Sequence, residues 1–158
     1  MFHVSRRPLK PALLSALLFA LALAPAQARA PQTDKDKEQE PPFHEYKGVH
    51  IGMSVEEARK ALGNPTDKGD KQDFYSFDEK EACQVYYDDA HKVFAVSVTY
   101  TGGKSAPVPK SVIGSDIEAK QDGSLYKLVR YPKAGYWVSY TRTPGEDPMT
   151  IIAIQKIQ

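Results

Sequence analysis

Across residues 49–65, VHIGMSVEEARKALGNP, the apolar positions recur with a helical period. Val55, Ala58 and Leu62 stand at i, i+3 and i+7, which is one buried stripe of a short amphipathic helix. Ser54 followed by Glu57 is a capping box, in which each residue satisfies a backbone amide that the first turn leaves without a partner. Arg59 and Lys60 suit the negative end of the helix dipole. Gly63 can take the positive φ needed after the last turn, and Pro65 prevents the helix from resuming. A helix of little more than two turns is not stable alone in water. The pattern therefore requires a sheet for the stripe to pack on.

Beyond Pro65 the period drops to two. Residues 73–77, 82–87 and 93–100 are rich in β-branched and aromatic side chains and are separated by the polar clusters DEK and DDAHK, so they predict a three-stranded meander. In the third strand Phe94, Val96, Val98 and Tyr100 form the expected bed for the helix stripe. TGGKSAPVPK, over residues 101–110, reads as a connection. Ile113-Gly114-Ser115-Asp116-Ile117-Glu118 then echoes Ile51-Gly52-Met53-Ser54-Val55-Glu56. Asp116 takes the capping place of Ser54, and Asp122 and Gly123 cut the second helix short. Residues 125–131, 136–141 and 149–157 read as three further strands, and GYWVSY resembles ACQVYY as a degenerate repeat would. The prediction is an α+β fold of two tandem α-β-β-β units, 47–100 and 111–158. Their strands form an antiparallel sheet with short helices on one face.

The start of the chain is different in kind. Arg6, Arg7 and Lys10 precede the apolar run 12–24, and small residues follow at Ala26, Ala28 and Ala30. That order predicts a signal peptide over 1–28, cleaved after Ala28 or Ala30. The run is shorter than the roughly 20 residues of a spanning helix, and no cysteine lies near the cleavage site to accept a lipid. A periplasmic or secreted protein with no stable membrane anchor after processing is expected. Residues 29–46 mix both charge signs with prolines and read as a disordered linker, leaving 47–158 as one domain of ordinary size.

Charge and motifs narrow the function. Loss of residues 1–28 removes three of the 21 basic residues and none of the 20 acids, which moves the formal charge from +1 to −2. That composition argues against nucleic acid as a partner. Cys83, the single cysteine, alternates with Val85 and Tyr87 as a buried small hydrophobe would. Asp88, Asp89 and His91 occupy a turn where polar residues are expected, and no metal site is assigned to them. No hydrolase, zinc, phosphate-loop or calcium-loop pattern occurs, so neither a catalytic residue nor a cofactor is assigned and no enzymatic activity is expected. The sheet aromatics carry the remaining signal. If Val85 and Val138 face the core, period two turns Gln84, Tyr86, Trp137 and Ser139 to the opposite face. Tyr86 and Trp137 are expected there on neighbouring central strands. They suit the docking of a protein, or the stacking of a small ligand or sugar ring.

The order Gly-Met-Ser, helix, Leu-Gly-x-Pro, polar loop and the aromatic strand FYSF is similar to the SmpA/OmlA family, small lipoproteins of outer-membrane barrel assembly. The doubled arrangement also resembles β-lactamase inhibitor protein and its tandem helix-and-sheet repeats. The resemblance covers residues 49–100 best. The chain departs from SmpA/OmlA in lacking the lipidated cysteine and in carrying a second unit. Neither group is catalytic. The resemblance implies an interaction module of the cell envelope, as an inhibitor of, or accessory to, an envelope or secreted protein.

Overall fold

The capping box closes as its spacing requires. Glu57 N–H donates to Ser54 Oγ (3.3 Å) and Ser54 N–H donates to Glu57 Oε2 (2.8 Å). From this cap α1 runs Val55–Leu62 in the computed structural model, which describes residues 41–158. The signal-peptide expectation and most of the linker expectation lie outside the described residues. The folded part begins before the expected boundary at Lys47: Tyr46 is buried and Phe43 packs against the core.

After α1 come β1 (Asp67–Lys68), β2 (Gln72–Ser76), β3 (Glu81–Tyr87), β4 (Val93–Thr101), α2 (Pro109–Ile113), β5 (Leu125–Tyr131), β6 (Tyr136–Arg142) and β7 (Met149–Lys156). The strands form one antiparallel sheet in the order β1-β2-β3-β4-β7-β6-β5. Each meander ends on its last strand, and β4 and β7 join the two halves at the centre. Val85, Val96, Ile154, Val138 and Val129 lie in one cross-strand row. This register is the one that the likeness of ACQVYY to GYWVSY implies.

Both helices lie on one face. Val55 and Ala58 of α1 and Val112 and Ile113 of α2 join a single core cluster with the inward residues of β2 to β7. Leu62 is half-buried at the margin of that cluster. The segment before α1 is also tied to β4, through Gly52 N–H to Val93 O (2.8 Å) and Val93 N–H to Met53 O (2.8 Å).

Two expectations are corrected. The second helix does not start from Asp116; it ends on Ile113, the first residue of the echo, and residues 116–120 are irregular. Pro109 opens it at the position where a missing N–H costs least, and Gly114 closes it in the left-handed conformation at φ 77°. Asp116 has no glutamate three residues on, so no capping box could form there. Phe94 also leaves the inward face. Tyr86 pairs with Ala95 but Tyr87 pairs with Val93, so Phe94 is the extra residue of a β-bulge. Its ring lies 6.1 Å from that of Tyr86.

Candidate functional site

Because strand side chains alternate, the register fixes what the sheet presents away from its helices. One row reads Gln72, Tyr86, Ala95, Gln155, Trp137 and Arg130 from β2 to β5. The next reads Phe74, Gln84, Ser97, Ala153, Ser139 and Leu128, and the third Ser76, Ala82, Thr99, Ile151, Thr141 and Tyr126. Gln84, Tyr86, Trp137 and Ser139 thus all face outward, as alternation predicts, and all are half-buried. Val85 and Val138 beneath them are fully buried.

The two aromatics are not on neighbouring strands, contrary to expectation. The halves join through β4 and β7, which places three strand spacings, about 14 Å, between Tyr86 on β3 and Trp137 on β6. Ala95 and Gln155 lie between them in the row. The centre of the face is therefore a floor of small side chains, Ala95, Ser97, Ala153 and Ser139, with aromatic groups on both flanks. Charge is confined to the margins: Asp67 on β1, opposite Phe74, and Arg130 on β5. Sequence reasoning missed Tyr126, Leu128 and Met149, which stand on the same face and remain 51%, 39% and 40% exposed. The signal was present in LYKLVRY, where both alternation phases contain large apolar residues although only one can reach the core.

Tyr86 also borders a cleft of about 610 Å³ at the end of the sheet, with Phe94, Lys71, Asp89, Lys156 and Ile157. The Tyr86 hydroxyl donates to Gln84 Oε1 (2.9 Å), which fixes both side chains. Trp137, Gln84 and Ser139 are not among the residues lining the cleft. Next to it, Lys71 pairs with Asp89. Asp88 accepts from the N–H groups of Ala90 (3.0 Å) and Lys92 (2.9 Å), so its carboxylate holds the turn. Among the described residues no group of three or more His, Cys, Asp or Glu is placed to hold a metal.

No protein-family model matches the chain, and no curated protein matches it. Among solved structures the chain is similar to a DUF4309 family protein (YjgB) from Bacillus subtilis, at 11% identity and a TM-score of 0.49. The match covers 71% of this chain and 84% of that one.

On the helix side a buried polar cluster ties α1 to β2. Asp73 is fully buried and accepts from Arg59 Nε (2.7 Å) and Nη2 (3.0 Å), from the Tyr87 hydroxyl (2.7 Å) and from Gly69 N–H (3.2 Å). Arg59 Nη2 also donates to Gly69 O (3.0 Å). Burial alone would raise the Asp73 pKa, but the Arg59 bonds, then Tyr87 and Gly69, outweigh it and hold the carboxyl below its ordinary range. The dipole reading of Arg59 thus gives way to a stronger one, a bidentate clasp between helix and sheet. Cys83 is buried, and burial followed by the nearby Glu81 charge pushes its thiol up to about 12. A thiol so protonated is a poor nucleophile.

Proposed function

We propose that this protein is an exported, non-catalytic interaction module of the cell envelope that binds a protein partner through the outward face of its sheet. The observation that carries the reading is the distribution of charge. On a chain with 26% charged residues, the outward rows from β2 to β6 contain none, and their aromatic and apolar side chains stand on a rigid sheet. Depletion of charge with enrichment of aromatics is the composition of the core of a protein interface. The basic and apolar start of the chain supports export, and the resemblance of residues 49–100 to SmpA/OmlA supports an envelope setting. The breadth of the face favours a protein over a sugar ring, because Tyr86 and Trp137 stand too far apart to sandwich one.

A second reading has its own observation. The cleft beside Tyr86 and Phe94 falls within the roughly 300–1,000 Å³ of small-molecule sites, so a small ligand held there is the alternative. Photo-crosslinking in intact cells separates the two. A photoreactive phenylalanine analogue at Ser139 is expected to give a discrete protein adduct, and the same analogue at exposed Glu56 on α1 none. Adducts of equal yield from both positions, or from neither, would defeat the protein-interface reading.

A further inference from the structure

The two edges of the sheet are built differently. One edge ends on β1, whose two residues Asp67 and Lys68 are both charged and exposed, a common way of blunting an edge. The other ends on β5, seven residues long, which among the described residues pairs with β6 alone. In an antiparallel ladder alternate residues of an edge strand turn both N–H and C=O away from their neighbour. Among the described residues, no backbone hydrogen bond outside the sheet reaches the interior of β5, residues 126–130. Tyr126 and Leu128 on this strand are among the most exposed large apolar side chains of the domain.

We infer that β5 pairs with β5 of a second copy, antiparallel about a two-fold axis, so that two seven-stranded sheets become one. The sequence LYKLVRY fits itself in that arrangement. Full overlap of residues 125–131 places Leu128 opposite Leu128 of the other copy, Tyr126 opposite Arg130, and Lys127 opposite Val129. Neither cation meets its own kind, an aromatic ring faces a guanidinium, and two leucines meet on the axis. A shift to centre the pair on Lys127 or Arg130 would set like charges directly opposite, and a shift to Val129 would give up the full seven-residue overlap and the leucine pair on the axis. The fold already uses such a joint, since β4 and β7 bring its two halves together antiparallel. The contact is isologous and closes at two copies, because the blunted β1 edge offers no continuation.

The full chain is expressed and the form that cells export is purified. Sedimentation equilibrium should show a concentration-dependent dimer. Leu128→Lys, which sets two ammonium groups face to face on the axis, should weaken it about tenfold or more while leaving the melting temperature within a few degrees. Directly opposed Cα atoms lie within disulfide range. Mild oxidation should therefore crosslink Leu128→Cys to itself, whereas Tyr126→Cys should crosslink only when mixed with Arg130→Cys. Buried Cys83 does not compete. A monomer at every concentration, a dimer indifferent to Leu128→Lys, or Tyr126→Cys crosslinking as well alone as with Arg130→Cys would overturn the pairing.

Discussion

Arg59→Met is the most informative single perturbation of the fold. It keeps an unbranched apolar stem but leaves the Asp73 carboxylate, fully buried, without the cation that gives it two of its hydrogen bonds. Breaking one member of a buried pair costs about 3–5 kcal/mol, because the remaining charge stays desolvated. That is a large part of the roughly 5–15 kcal/mol that holds a domain together, and it corresponds to a melting temperature lower by about 10–15 °C for a chain of this size. Thermal unfolding followed by circular dichroism measures it. The sign of the pH dependence gives a second check. Asp73 has a lowered pKa when folded and titrates near about 3.9 when unfolded. Its contribution is therefore fully present above the unfolded value and is lost as pH falls through the folded one. The difference in stability between wild type and Asp73→Asn should be constant from neutral pH to about 5 and shrink below about 4. The double variant Arg59→Met/Asp73→Asn should lose less than the two single losses combined. A single Arg59→Met variant that melts like wild type would refute the clasp.

Other outcomes follow from the same geometry. Gly63 closes α1 at φ 85° and ψ −157°, a region nearly exclusive to glycine, so Gly63→Val should destabilise by about 1–3 kcal/mol in urea unfolding. Cys83 should resist a thiol reagent at pH 8 in the folded protein and react fully once denatured, since it is buried and its thiol is raised to about 12. Export and processing as proposed predict an intact mass that corresponds to a start at Arg29 or Pro31 with no acyl group. A species that retains residues 12–24 would contradict processing.

What was legible in the sequence was local. Ser54, Glu57, Gly63 and Pro65 specify α1 almost alone, because each satisfies or terminates backbone groups within a few residues of itself. Alternation placed the long strands and gave the correct face for Gln84, Tyr86, Trp137 and Ser139. The misses have non-local or competing causes. Asp116 looks like a cap because of its echo of Ser54, while Pro109, which opens α2, falls in the apparent connection and Gly114, which closes it, falls in the echo. Phe94 obeyed alternation in sequence but not in space, since a bulge depends on the partner strand. The separation of Tyr86 from Trp137 depends on β4 meeting β7, which no local pattern announces. Asp73 and Arg59 lie 14 residues apart and became a pair only through the packing of α1 on β2.

Trp137→Ala, with the crosslinked partner in hand and Tyr86→Ala alongside, tests whether the outward sheet face is the binding surface. Affinity is measured by titration and stability by thermal melting. Truncation of an aromatic anchor costs about 2 kcal/mol or more, a loss of affinity of roughly thirtyfold. Such a loss is expected for Trp137→Ala, with a melting temperature close to wild type. Unchanged affinity together with a collapsed melting temperature would contradict it and return both aromatics to the core.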